Sequence, residues 1–65
     1  MSRFIVTFIG LDESENIRNV KNVIMERENI VEVFRETKDV IFEFDDDGLD
    51  YEVNEVMDIE FLTRV

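Results

Sequence analysis

The chain contains no cysteine and no histidine. Without cysteine it can form neither a disulfide framework nor a thiolate metal site. Without either residue it lacks common nucleophiles and general bases, so we expect no enzymatic activity. Gly10 and Gly48 are the only glycines, and a glycine-rich phosphate-binding loop is therefore absent. We expect no cofactor.

Long apolar runs are also missing. No segment approaches the roughly 20 apolar residues that a membrane-spanning helix requires. The apolar stretch from Phe4 to Ile9 is not followed by the small-residue cleavage site of a signal peptide. Together with the lack of cysteine, these features favour a cytoplasmic protein that does not bind membranes. The length of 65 residues predicts a single domain over residues 1–65, whose small core leaves oligomerisation as one of few further means of stabilisation.

Basic residues are absent from residues 39–60, which contain ten of the 17 acidic residues. The rest of the chain holds seven acidic and seven basic residues, so the whole net charge of −10 comes from this one segment. Such a segment repels nucleic acid and anionic membranes, and it attracts a basic protein. We therefore expect no direct binding to nucleic acid.

Four elements are predicted in the first two thirds of the chain. Residues 3–10 are β-branched and aromatic with apolar side chains on both faces, which is typical of a central strand that a helix covers on at least one side. A capping pair at Asp12 and Glu15, followed by apolar residues at helical spacing, predicts a helix over residues 13–28. Two further strands, at residues 30–36 and 39–45, are predicted to form a hairpin with Thr37 and Lys38 in the turn.

The segment after Gly48 fits two patterns. Leu49, Tyr51 and Val53 alternate with polar residues as in a half-buried strand, and Asp47–Gly48 is a strong hairpin signal. Helical spacing also fits the apolar residues of this segment, which are Leu49, Val53, Val56 and Met57. We favour the strand, with a final strand over residues 57–63.

The predicted fold class is α+β, a small antiparallel sheet backed by one main helix. The element order is β-α-β-β-β-β if the segment after Gly48 is a strand. If that segment is a helix, the order β-α-β-β-α-β resembles a truncated ferredoxin-like domain. In both cases the helix over residues 13–28 lies against the sheet.

Alternation places the acidic residues of the second half on one face of the predicted sheet. The apolar set that faces the helix is Phe42, Phe44, Leu49, Tyr51, Val53, Met57, Ile59 and Phe61, and the acidic set on the opposite face is Glu43, Asp45, Asp50, Glu52, Asp58 and Glu60. Side chains two apart on a strand are about 6.6 Å apart and neighbouring strands are about 4.8 Å apart. The carboxylates are thus expected to form a two-dimensional grid. Like charges placed opposite each other destabilise a sheet, so the grid points to a function as well as to solvation.

This combination of size, charge and placement of acids is similar to that of small acidic phage-encoded proteins that act as DNA mimics, although no motif is shared. The resemblance implies a nucleic-acid mimic that binds the basic groove of a nucleic-acid-binding protein and inhibits it. Targets of that functional group include nucleoid proteins, DNA repair enzymes, polymerases and CRISPR effectors. The candidate partner-binding residues are Glu43, Asp45, Asp46, Asp47, Asp50, Tyr51, Glu52, Glu55, Asp58 and Glu60. The alternative is a non-enzymatic structural or assembly subunit whose acidic face serves solubility.

The segment EFDDDG, residues 43–48, also suggests a calcium-binding loop. With Gly48 at the sixth loop position, Glu43 and Asn54 occupy the first and twelfth positions, where such a loop requires Asp and a bidentate Glu. We therefore expect no dedicated metal site, and only weak binding of divalent ions by Asp45, Asp46 and Asp47.

The aromatic residues bear on assembly. Core positions are expected for all six phenylalanines, which are Phe4, Phe8, Phe34, Phe42, Phe44 and Phe61. This is more aromatic volume than one helix covers, and we expect a homodimer.

Overall fold

A computed structural model describes residues 1–44 and 47–60 of the chain. Its elements are strand β1 (Ser2–Leu11), strand β2 (Ile17–Arg27), helix α1 (Ile30–Phe42) and strand β3 (Asp50–Asp58). Both strand pairs are antiparallel, and the order in the sheet is β2-β1-β3. The α+β class and the central position of the first strand are confirmed. The order β-β-α-β differs from both predicted orders.

The predicted helix over residues 13–28 is wrong, because most of this segment forms β2. Asp12 caps a turn, not a helix. Its carboxylate accepts a hydrogen bond from the backbone N–H of Asn16 at 3.0 Å and one from the side chain of Arg18 at 2.7 Å. Within this turn Glu15 adopts a positive φ of 63°, and the chain then returns along β1. Local hydrogen bonding by an Asp side chain favours such turns as readily as helix caps.

The two strands predicted over residues 30–36 and 39–45 are also wrong, because α1 covers most of both. Asn29 caps the helix, and its side-chain oxygen accepts a hydrogen bond from the backbone N–H of Glu32 at 3.1 Å. Thr37, expected in a turn, is buried in the middle of α1 and donates a hydrogen bond to the carbonyl oxygen of the preceding helical turn. Tertiary packing here outweighs the β-branched composition.

The hydrophobic core lies between α1 and one face of the sheet, which we call the covered face. Its buried apolar residues are Phe4, Val6, Phe8, Met25 and Val33. Phe44, just after α1, closes one end of the core with its ring centroid 5.1 Å from that of Phe8. The expectation that all six phenylalanines lie in the core is wrong. Phe34 is 53% exposed and Phe42 is 87% exposed, and Phe61 lies outside the described residues.

The strand interpretation of the segment after Gly48 is confirmed, and the helical alternative is wrong. This strand, β3, contains a bulge. Thr7 pairs with Glu55 and Phe8 pairs with Val53, so Asn54 has no partner on β1. The separate final strand predicted over residues 57–63 is not found in the part of the segment that the structure describes. Its first two residues end β3, and the next two leave the sheet.

The second face of the sheet, which we call the open face, lies on the side away from α1. No helix among the residues described is long and apolar enough to cross a membrane.

Candidate partner-binding surface

Three acidic residues of β3 point out of the open face. Asp50 pairs with Leu11 on β1, Glu52 pairs with Ile9, and Glu55 pairs with Thr7. Residues 52 and 55 would lie on opposite faces of a regular strand, but the unpaired Asn54 restores Glu55 to the face of Glu52. All three side chains are exposed. We call these three residues the acidic row, and it runs along one border of the sheet because β3 is an edge strand.

The acidic row borders an apolar surface. The open face carries aliphatic side chains on all three strands, namely Ile5, Ile9, Leu11, Ile17, Val20, Ile24 and Met57. Ile24 is 64% exposed and Ile17 is 58% exposed. The side-chain hydroxyl of Thr7 donates a hydrogen bond to Asn22 at 2.9 Å, which joins the two polar side chains near the middle of this surface. The open face thus combines a neutral apolar area with an acidic border.

The structure does not assemble the other predicted site residues into the two-dimensional grid. Glu43 is the C-cap of α1 and lies away from β3. Asp58 pairs with Phe4, which places it on the covered face and not on the outer face as expected. Glu60 lies beyond β3 and forms an ion pair with Arg3 at 3.4 Å. Asp45 and Asp46 lie outside the described residues.

Asp47 and Tyr51 form a separate cluster at the end of the sheet. The hydroxyl of Tyr51 donates a hydrogen bond to Asp47 at 2.5 Å and accepts one from Asn19 at 2.9 Å. The ammonium group of Lys21 lies 4.7 Å from the ring centroid of Phe44 and 5.5 Å from that of Tyr51. Tyr51 thus lies on the covered face, where it joins the turn before β3 to β2.

Hydrogen bonds lower the pKa of two acidic residues in turns. The Tyr51 hydroxyl is the main cause of a pKa below the ordinary value for Asp47. For Asp12 the main cause of the lowered pKa is the Arg18 side chain, and the backbone N–H of Asn16 adds to it. Hydrogen bonds that are made to the charged form favour ionisation. Both carboxylates are thus stabilised in the folded state in their ionised form.

Four of the basic residues are engaged elsewhere. Arg18 pairs with Asp12 at 2.7 Å, and Arg27 pairs with Glu36 at 2.6 Å. Lys21 lies over the two aromatic rings on the covered face, and Arg3 pairs with an acid beyond β3. Within residues 1–44 and 47–60, no ion pair involves a member of the acidic row. This row therefore retains its negative charge for a partner.

A second acidic surface was not predicted from the sequence. Glu36, Asp39 and Glu43 lie at helical spacing on α1 and line an open groove of about 360 Å³ against β2. Arg27 on β2 lines the same groove and pairs with Glu36. The set depends on a helix where two strands were expected. The sequence signal that could have revealed it is the cap formed by Asn29. In the described part of the chain, no group of three acidic side chains is arranged to hold a metal ion.

Acidification is expected to lower the stability of the fold through Asp12 and Asp47. The melting temperature should fall at acidic pH, because these two turn carboxylates are stabilised in their ionised form in the folded state. Asp12 and Asp47 have a lowered pKa when folded, so their contribution is complete above the ordinary value of 3.8 and is lost as the pH falls through their folded pKa.

Thermal unfolding followed by circular dichroism at several pH values would measure this effect. The melting temperature should decrease as the pH falls below the ordinary value of 3.8. A melting temperature that stays constant below that pH would contradict the stabilising role of the two carboxylates. Replacing Asp12 and Asp47 by asparagine should flatten the decrease at acidic pH.

Comparison with known proteins gives no relative from which a function could be transferred. No family model, curated protein or solved structure matches the chain.

Proposed function

We propose that this protein is a nucleic-acid mimic that binds the basic groove of a nucleic-acid-binding protein and inhibits it. The observation that carries the proposal is the acidic row of Asp50, Glu52 and Glu55, which makes no ion pair with the residues described and lies on an edge strand. The row pairs with Leu11, Ile9 and Thr7, which are two apart on β1 and therefore about 6.6 Å apart, so it presents regularly spaced negative charges to a partner.

Electrostatics would supply much of the association rate. The net charge of −10 raises the local concentration of a basic partner around the molecule, and the exposed row then fixes where the partner docks. Surfaces that bind nucleic acid are rich in Lys and Arg, which contact phosphate groups without regard to sequence. Carboxylates held in a row can accept the same hydrogen bonds. Binding should therefore weaken steeply as the salt concentration rises.

Removal of the charge of the acidic row tests this proposal. The triple variant Asp50→Asn, Glu52→Gln, Glu55→Gln should lose at least about 90% of its binding to a basic partner captured from bacterial lysate at low salt, because unpaired charges steer and position the complex. DNA should compete with the parent protein for the same partner. The fold should be retained, since the three side chains are exposed and point away from the core.

A matched control variant distinguishes the effect of the acidic row from the effect of net charge. The variant Glu13→Gln, Glu28→Gln, Asp39→Asn removes the same charge at three other exposed positions and should bind the partner nearly as well as the parent. The assigned role of the row is contradicted if the acidic-row variant binds the partner as tightly as the parent. It is also contradicted if the acidic-row variant and the control variant lose binding equally.

A structural or assembly subunit is the second candidate, and the exposed apolar area of the open face favours it. In that case the acidic residues serve solubility. Lysate capture would then recover no nucleic-acid-binding protein at either low or moderate salt.

A further inference from the structure

We propose that the open face of the sheet is the interface of a homodimer, in which it packs against the same face of a second copy. Ile17, Val20 and Ile24 on β2 are all more than half exposed, and Ile5 and Ile9 on β1 lie beside them. A sheet with an apolar face gains stability by burying it against another layer. The described core contains only five buried apolar residues, so a second layer would add substantially to it.

The distribution of charge on the open face fits a second copy better than a basic protein. On β1 and β2 the strand-paired positions of this face are neutral from Leu11 to Ile5 and from Ile17 to Ile24, and Arg3 lies opposite Glu26 at the far end. Arg18 lies in the register shift next to Ile17, where Asp12 neutralises it. The acidic row lies outside this area, on β3. A neutral apolar area of this kind packs best against another apolar surface of similar size. A second copy of the chain provides such a surface.

The acidic row also fixes the orientation of the two copies. Packed sheets lie about 10 Å apart and neighbouring strands about 4.8 Å apart. A two-fold axis that runs parallel to the strands, between β1 and β2, packs these two strands of each copy together and leaves β3 uncovered at opposite borders. The two β3 strands are then about 17 Å apart, which exceeds the screening length of about 8 Å at physiological salt. An axis across the strands would set β3 over β3, with the two acidic rows facing each other. The parallel arrangement therefore avoids the repulsion and leaves both rows at the borders.

The size of the surface predicts a dimer that dissociates on dilution. The strands β1 and β2, about 30 Å long and about 4.8 Å apart, span an outline of roughly 300 Å² per copy, or about 600 Å² for the pair. Uneven side-chain surfaces bury more area than their flat outline, but the total stays below the lower limit of about 1,200 Å² for stable interfaces. The dimer does not depend on the proposed function, because the tests of the two proposals measure different quantities.

Sedimentation equilibrium from micromolar to millimolar concentration tests the interface. The mass of the parent should rise from 7.8 kDa toward twice that value. The double variant Val20→Lys, Ile24→Lys should raise the dissociation constant at least about tenfold, because it would place charged groups without partners in an apolar interface. These substitutions reduce the net negative charge, so greater overall repulsion could not explain the loss.

The control variant Phe34→Lys, Phe42→Lys changes charge equally at two exposed apolar positions of α1 and should dimerise like the parent. A parent that stays monomeric to millimolar concentration overturns the proposal. So does loss of the dimer in the control instead of in the β2 variant, with both variants shown to be folded by circular dichroism.

A single thiol tests the orientation. Because the chain has no cysteine, Leu11→Cys introduces a unique site on β1. With the axis parallel to β1, the two thiols lie across the interface at about the 10 Å sheet separation, so a short bifunctional thiol reagent should link the copies. With the axis across the strands they would lie more than about 25 Å apart, beyond the reach of such a reagent. Failure to link a dimeric sample would overturn the parallel arrangement.

Discussion

Alanine at position 8 is expected to lower the free energy of unfolding by about 3–5 kcal/mol. Phe8 is fully buried at the centre of β1 and touches Phe44 edge to face. Phe→Ala substitutions in a core cost about 3–5 kcal/mol. At roughly 0.05–0.15 kcal/mol per residue, a domain of this length has only about 3–10 kcal/mol of total stability. The substitution therefore removes a large part of it.

Phe42 offers a control with identical chemistry. Its side chain is 87% exposed at the end of α1, so Phe42→Ala should change the free energy of unfolding by no more than about 0.5 kcal/mol. Urea unfolding followed by circular dichroism compares the two variants directly. Similar unfolding midpoints for both would contradict the assignment of the core to the covered face.

Gly10→Ala is expected to give the second-largest loss of stability. A Cβ atom at this position would lie 2.8 Å from Cε1 and 2.9 Å from Cζ of Tyr51, and 3.1 Å from a methyl group of Leu49. The tyrosine ring would have to move, and its hydrogen bonds to Asp47 and Asn19 would weaken. Overpacking of this kind typically costs about 1–3 kcal/mol. For a domain of this size, each kcal/mol lowers the melting temperature by about 4–8 °C.

Removing the ring of Tyr51 tests whether its contact with the added Cβ atom causes the loss of stability. In a Tyr51→Ala background the added methyl group no longer meets the ring, so Gly10→Ala should cost much less than in the parent. Gly48→Ala is the control. Gly48 has a φ of 78°, and apart from its chain neighbours no atom of the described residues would lie within 4 Å of a Cβ atom added there. The cost of this substitution therefore comes from the backbone and should be equal in both backgrounds. Additive effects of Gly10→Ala and Tyr51→Ala would contradict the steric explanation.

The sequence allowed two strands to be predicted but not the elements between them. Residues 3–10 are so rich in β-branched and aromatic side chains that they predict a strand with apolar residues on both faces. In the other strand, Tyr51 and Val53 alternate with acidic residues. Ile17, Val20 and Ile24, by contrast, fit both a helix stripe and an exposed strand. The choice depends on pairing with β1 over its whole length, which a local pattern does not contain.

The candidate surface was predictable to the same degree. Alternation alone places Asp50 and Glu52 together on the open face. Glu55 joins them only because Asn54 is unpaired, and Asp58 changes to the covered face for the same reason. A bulge reverses the facing of every later residue in a strand, and no glycine marks this one. The acidic residues of α1 that line the groove come together only because this segment is a helix, whereas its sequence predicts two strands.

The position of β1 between two partners also has a consequence for the order of folding. β2 follows β1 after a short turn, whereas β3 pairs Asp58 with Phe4 across almost the whole length of the described chain. Contacts that are distant in sequence form slowly, because a long loop must close first. While the protein is being synthesised, the second edge of β1 thus stays unpaired until β3 emerges from the ribosome. During that interval the nascent chain presents a bare strand edge to which other chains can add, and aggregation competes with folding.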